Sequence, residues 1–236
     1  MQLSKDILAQ ADKLFFPPNC LACGSRTDSA EEALCANCRD LLLPIRETYC
    51  GKCGGPLRDY GCEACSQTDF CFDFARSAYV YQRPAQELVH GLKYGFLRSP
   101  AKFFTDALLE IPALARFGEG FDLVMAVPLH HVRQRERGYN QSELIARKLA
   151  LKLGLPYARP VCRRYNTRSQ TNLSREARLG NLSGAFALEG KADVKGKRVI
   201  LVDDVFTTGT TANEVSRLLR DSGAAKIAVL TATRAV

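Results

Sequence analysis

The run Val199-Ile200-Leu201-Val202-Asp203-Asp204-Val205-Phe206-Thr207-Thr208-Gly209-Thr210-Thr211 limits the possible folds more than any other part of the chain. Four apolar, mostly β-branched residues in succession suit a strand buried on both faces, as in a parallel sheet covered by helices. Two carboxylates follow, then small hydroxyl residues around one glycine. An amphipathic helix comes next, with Val215, Leu218 and Leu219 on one face and Gly223 as its stop. Thr211 and Glu214 have capping-box spacing, which predicts a helix start at Thr211.

That order of elements has a chemical meaning. Backbone N–H groups of a Thr-Thr-Gly-Thr-Thr turn converge at a helix N-terminus, where unpaired donors and the helix dipole favour an anion. Hydroxyls of Thr207, Thr208, Thr210 and Thr211 can add hydrogen bonds to phosphate oxygens. Asp203 and Asp204 suit the vicinal hydroxyls of a ribose, or a hydrated Mg²⁺ beside them. Two common phosphate loops fit worse: no lysine lies between Arg198 and Lys226, and the turn holds a single glycine. The segment from Asp203 through Val205 and Phe206 to Thr211 closely resembles the phosphoribosyl pyrophosphate (PRPP) motif of type I phosphoribosyltransferases. A plain strand–turn–helix with threonine caps would need neither the paired acids nor the glycine.

The 236 residues allow one large domain or two small ones, and a hydrophobic fraction of 46% suits a globular core. No stretch approaches the length of a membrane span. Met1 to Phe16 mixes Lys5, Asp6, Asp12 and Lys13 with Leu3, Ile7, Leu8 and Leu14, an amphipathic helix pattern and not a signal peptide. A cytoplasmic protein is the expectation. Residues 1–72 hold 7 Lys+Arg against 10 Asp+Glu, whereas residues 73–236 hold 26 against 15. The acidic front and basic back suggest two parts, the larger preferring phosphorylated ligands, nucleic acid or both.

Eight of the ten cysteines form four Cys-x-x-Cys pairs: Cys20/Cys23, Cys35/Cys38, Cys50/Cys53 and Cys62/Cys65. Each pair opens a knuckle whose two thiolates can meet one tetrahedral Zn²⁺, and two pairs complete a site. Sequential pairing is expected, Cys20/Cys23/Cys35/Cys38 on one metal and Cys50/Cys53/Cys62/Cys65 on the other; a cross-brace is the alternative. Disulfides do not suit the cytoplasm, and four pairs exceed the needs of a redox dithiol. Two four-cysteine sites leave no open coordination position, so the zinc would be structural and would supply much of the module's folding free energy. Cys71 and Cys162 lie outside the pattern and read as buried small hydrophobes or free thiols.

Beyond Phe72, Ala78 to Tyr81 reads as a strand. Pro84 opens a helix carrying Leu88, Val89 and Leu92, which ends at Lys93-Tyr94 with Gly95 as its C′ residue. Ser99 to Leu109 reads as another helix, and Phe121 to Pro128 as a second apolar strand. Arg133, Arg135 and Arg137 follow that strand in a basic loop, where open α/β sheets bind ligands and where guanidinium forks can pair with phosphate oxygens. Asn140 with Glu143 caps a helix through Leu153, ended by Gly154. His130 and His131 lack a third ligand at zinc spacing; a surface role is expected for them, with contact of one of them to a ligand as the alternative. Arg163 to Ala187 carries Arg163, Arg164, Arg168, Arg175 and Arg178 in a polar setting, which reads as a mobile lid around a helical turn near Ser174. Tyr165 offers a single stacking surface there, and Lys226 to Thr233 reads as the last strand.

Together, the cysteine pairs, Leu92-Lys93-Tyr94-Gly95, Pro128-Leu129-His130, and Arg135-Glu136-Arg137-Gly138-Tyr139-Asn140-Gln141 resemble the ComF family. So do Arg168 to Arg175, Asn181 to Phe186 and the PRPP motif, so that the resemblance spans nearly the whole chain. It implies an α/β fold: a type I phosphoribosyltransferase-like parallel sheet with flanking helices, preceded by a small double zinc ribbon. The expected division is 1–72 and 73–236. The resemblance also implies a bacterial protein of DNA uptake or use of external DNA, with a ribose-phosphate site at Asp203, Asp204 and Thr207 to Thr211. Lys93, Arg133, Arg135 and Arg137 would lie on the pyrophosphate side. Magnesium with PRPP, two structural zinc ions and single-stranded DNA along Arg163, Arg164, Arg168, Arg175 and Arg178 complete the expectation. A non-catalytic adaptor, whose zinc ribbon docks a helicase-like partner while the PRPP site is regulatory or vestigial, is the second reading. No base-recognition signature identifies an acceptor.

Overall fold

The computed structural model describes residues 19–29, 32–46, 49–59, 61–95, 97–112, 114, 120–165, 184–190 and 192–236. The amphipathic segment expected over residues 1–16, the helical turn near Ser174, and Arg168, Arg175 and Arg178 lie outside these residues.

Among the described residues, four parallel strands form the central sheet. They are β1 (Phe74–Val80), β2 (Leu123–Ala126), β5 (Arg198–Phe206) and β6 (Lys226–Arg234), in the order β1-β6-β5-β2. The two-residue period of a strand divides their side chains between two helical layers. Ile200, Val202, Ala228 and Leu230 face α3 (Ala85–Tyr94), α4 (Ser99–Leu109) and α6 (Gln141–Leu153), whose Leu92, Phe104 and Ile145 are fully buried. Val199, Leu201, Ile227 and Val229 face α7 (Thr210–Asp221) through Val215 and Leu219. Two short helices in the ribbons, α1 (Ala36–Asp40) and α2 (Glu63–Gln67), each follow a cysteine.

Several boundaries differ from expectation. The strand read at Ala78 to Tyr81 begins earlier, at Phe74, because its first residues already pair with β6. Gly95 ends α3 with a φ of −89°, so no left-handed turn closes that helix. The arginine loop is α5 (His131–Arg137), a short helix closed by Gly138 at φ 70°. The described ends of the polar segment pair as an antiparallel hairpin, β3 (Val161–Arg163) with β4 (Phe186–Leu188).

The ribbons are built onto the sheet. The outer edge of β1 is occupied: the Ile45 N–H donates to the Ala78 carbonyl (3.0 Å) and the Val80 N–H to the Leu43 carbonyl (2.9 Å). The Ala75 N–H donates to the Lys52 carbonyl at 2.7 Å. An edge strand otherwise exposes unpaired backbone groups, so these bonds satisfy it. Cys20, Leu34 and Cys38 join one layer of the core, and Cys50, Cys53, Phe70 and Phe72 join the other. The two knuckle sets therefore pack into opposite layers.

Two glycines test this attachment. Gly24 and Gly54 both sit in left-handed turns, at φ 76° and 70°, but a Cβ on Gly24 meets open space while one on Gly54 would lie 2.6 Å from the Ala75 carbonyl oxygen. Gly24→Ala should cost about 1–2 kcal/mol of backbone strain. Gly54→Ala should exceed that by about 1–3 kcal/mol of overpacking. Equal losses in denaturant melts would show that the second knuckle does not press on β1.

Candidate functional site at the carboxyl end of the sheet

The polar residues of β5 begin where the two-sided core ends. Asp203 is partly buried; its Oδ1 accepts from the Ser142 hydroxyl (2.9 Å) and from the Asp204 N–H (2.9 Å). Asp204 is 5% exposed, and the Lys93 ammonium lies 3.0 Å from its Oδ2. Lys93 thus reaches from the last turn of α3 into the acidic pair. Burial disfavours its charge, but Asp204 and Asp203 outweigh burial and hold its pKa above the ordinary value. Burial and the Asp204 charge push the Asp203 carboxyl up to about 7, against the Asp204 amide, Ser142 and Lys93.

The loop after the acids turns at Gly209, at φ 76°, which caps α7 from Thr210; the capping box expected at Thr211 and Glu214 is absent. Instead the Thr208 and Thr210 hydroxyls bond each other at 2.7 Å, and Glu214 pairs with Arg217 at 2.9 Å. Glycine is required at 209 on two counts. A Cβ there would enter the left-handed region and would lie 2.4 Å from Phe206 Cζ and 2.9 Å from Phe70 Cε1. Thr207 is exposed, Val205, Thr208 and Thr211 are partly buried, and the first-turn N–H groups of α7 have no intrahelical acceptors.

Helix α6 brings Ser142 to this point. The Asn140 side chain accepts from the Ser142 N–H (3.0 Å) and donates to the Val127 carbonyl (3.0 Å), fixing the helix start to the end of β2. Glu143, expected to complete that cap, pairs with Arg147 and Arg159 instead. The Tyr139 hydroxyl donates to the Leu92 carbonyl at 2.8 Å, which holds α3 and hence Lys93 in place. Neither Ser142 nor Tyr139 was singled out from the sequence, where nothing marks a contact across 61 or 47 positions.

The arginines divide. Arg163 lies within the electrostatic reach of Arg133 and Asp203; burial, then Arg133, lowers its pKa while Asp203 opposes them. Arg137 donates to Gln141 Oε1 (3.1 Å) and covers the Tyr94 ring at 5.3 Å. Arg135 acts with Arg163 on His130, whose pKa is lowered chiefly by burial. His130 is not a surface group: it is 4% exposed, and its Nδ1 accepts from the Val132 N–H at the start of α5. Arg164 donates its backbone N–H to Ala185 and continues the hairpin. A cleft of about 310 Å³ between β2, α5 and the hairpin is lined by Pro128, Leu129, His131, Asn140, Tyr157 and Arg163 among others.

The cysteines converge as two sequential sets, Cys20/Cys23/Cys35/Cys38 and Cys50/Cys53/Cys62/Cys65, each with its sulfurs within 4.8 Å of one another. Neighbouring sulfurs stand 3.7 Å apart for Cys23 and Cys35, 3.7 Å for Cys50 and Cys65, and 3.4 Å for Cys53 and Cys62. A tetrahedron with Zn–S bonds of about 2.3 Å has edges of about 3.8 Å, so both sets fit structural zinc. Hydrogen bonds from Ser25 bring the exposed Cys23 thiol down to about 6, favouring the ligating thiolate.

Two family models match parts of the chain. Residues 11–73 match the family described as Double zinc ribbon domain, and residues 140–235 the Phosphoribosyl transferase domain. The chain is 32% identical over 229 residues to Competence protein F of Haemophilus influenzae, covering 94% of this chain and 99% of that protein. The chain belongs to the ComF family. This ComF protein is also 31% identical to the DNA utilization protein YhgH of Escherichia coli K12, over 92% of its own length and 96% of the relative's. It is 27% identical to Competence protein ComFC of Bacillus subtilis, over 83% and 81% respectively. Among solved structures, orotate phosphoribosyltransferase from Aeropyrum pernix overlaps 74% of this chain and 70% of its own at 21% identity, with a TM-score of 0.36.

The raised Asp203 pKa fixes the sign of a pH effect. A folded-state pKa above the unfolded value of about 4 stabilises the fold fully below pH 4, and that contribution is lost as pH rises through about 7. Asp203→Asn keeps the Oδ1 acceptor, so in magnesium-free buffer it should raise Tm at pH 8 by about 2–4 °C for each kcal/mol relieved, and change it little near pH 4. Equal shifts at both pH values, measured by calorimetric melting, would contradict the assignment.

Proposed function

We propose that this ComF protein binds PRPP at the end of β5 and acts in DNA uptake or the use of external DNA. The observation that carries the reading is the Asp203–Asp204 pair, placed between a two-sided core and the Gly209 turn with Lys93 as its counter-charge. Asp203 and Asp204 accept from the ribose hydroxyls, and the amides and hydroxyls of Thr207 to Thr211 hold the 5-phosphate. Arg133, Arg135 and Arg137, with Lys93, face the pyrophosphate. Magnesium, when bound with PRPP, supplies further neutralisation of the pyrophosphate charge. The names Competence protein F and DNA utilization protein borne by the relatives support the biological setting. In this reading the protein works in the bacterial cytoplasm, with zinc in both ribbons and single-stranded DNA held along Arg163, Arg164, Arg168, Arg175 and Arg178.

The adaptor reading has its own support: Leu41 and Leu57, on the ribbons, are 65% and 52% exposed and present apolar side chains to a protein partner. In it the PRPP site is regulatory or vestigial.

Calorimetry on zinc-replete protein decides the PRPP site. Binding should require magnesium, and the double variant Asp203→Asn with Asp204→Asn should weaken it by about 100-fold, or about 3 kcal/mol, at unchanged zinc content. An unchanged affinity would remove the site. Binding of a single-stranded oligonucleotide should weaken with salt, with a log–log slope of about −3.5 for five phosphate contacts. A flat response would remove the arginine surface.

A further inference from the structure

We propose that Arg234 is a positioning residue that couples the second cysteine site to the loop before α7, so that metal at Cys50/Cys53/Cys62/Cys65 holds Phe206 to Gly209 in its anion-binding form. The proposal rests on the reading of that loop as a phosphate site.

Arg234 is the last residue of β6 and is 3% exposed. Its Nη1 donates to the Cys53 carbonyl at 2.7 Å, and its Nη2 lies 3.7 Å from Cys53 Sγ. Its Nε is buried with no hydrogen-bond partner among the described residues. A buried guanidinium needs an anionic partner, and the thiolate ligands of this set are within its reach. Gly55 makes the approach possible, because a Cβ there would lie 2.6 Å from Nη2.

The other face of the same guanidinium covers Phe206, with Cζ 4.4 Å from the ring centroid. Phe206 stands opposite Arg234 in the β5–β6 register, and its carbonyl accepts from the Ala235 N–H at 2.9 Å. The Phe206 ring meets Phe70 and Phe72 edge-on at 6.2 and 6.1 Å, while those two stack at 4.7 Å. Phe206 and Phe70 in turn form the wall against which Gly209 turns. Cys53, Arg234, Phe206 and Gly209 are thus one continuous packed path from a metal knuckle to the helix N-terminus. Because the core is close-packed, loosening one end gives the other room to move. The first cysteine set packs into the opposite layer of the core and lies off this path.

Coupling of this kind is reciprocal, so it is testable from both ends. On the full zinc-replete chain, Arg234→Met should keep both zinc ions while amide exchange across residues 205–213 speeds up by about tenfold and that of β2 stays unchanged. From the other end, Phe206→Leu should speed alkylation of Cys50 and Cys53 under chelator challenge by about fivefold, leaving Cys20 and Cys23 at the wild-type rate. Unchanged loop exchange in a folded Arg234→Met protein would overturn the proposal. If that variant does not fold, wild-type alkylation rates at Cys50 and Cys53 in Phe206→Leu would overturn it. Ribose 5-phosphate serves as the ligand probe: its affinity should fall about fivefold or more in Arg234→Met. A wild-type protein that does not bind it would sink the phosphate reading alone, because exchange and alkylation are read without ligand.

Discussion

The parallel pairing of β5 with β6 in the middle of the sheet is the constraint from which the rest follows. Both strands are covered on both faces, so their centres are apolar and every polar group is driven to an end. The acids of β5 stand at that transition. A carboxylate placed there is too buried to rely on water, and its partners must come from other elements. Lys93 arrives from α3 and Ser142 from α6, and each helix is held by a further bond, Tyr139 to Leu92 and Asn140 to Val127. The site is therefore a meeting of helix ends fixed by the sheet, with little left to loops.

The ribbons extend the same logic. A module of this size has little core of its own, and here its cysteines and aromatics complete the layers on either side of the sheet. The backbone of residues 43–45 and of Lys52 also satisfies the outer edge of β1. Metal sites in this protein are thus part of the packing of the sheet as well as of the ribbons.

How much of this was legible depended on whether the signal was local. The Cys-x-x-Cys spacing is a property of four residues, and both tetrahedral sets could be read from it, with sequential pairing expected. The acids and the Gly209 turn were equally visible, because a buried strand and a helix start adjoin them. The helix start itself was misplaced by one residue, since Gly209 caps by its backbone conformation and leaves Thr211 without the role its spacing suggested. The contacts of Ser142 and Tyr139 were invisible, because what they touch is brought near only by the fold. Helix α5 carries no apolar stripe, so its arginines read as a loop, and a hairpin of three-residue strands is too short to show a period. His130 read as a surface group because nothing near it in the chain predicts that the hairpin will cover it.

The position of β6 has a consequence for how the protein is made. It is the last described strand in chain order, yet it lies inside the sheet, between β1 and β5. On the ribosome, β1 emerges before β6 and has no partner strand in the sheet until β6 leaves the exit tunnel. Through most of synthesis the inner edge of β1 and the apolar faces of α3 and α4 are open to water and to other nascent chains. The order of its strands thus leaves the inner edge of β1 to wait for the segment that closes it.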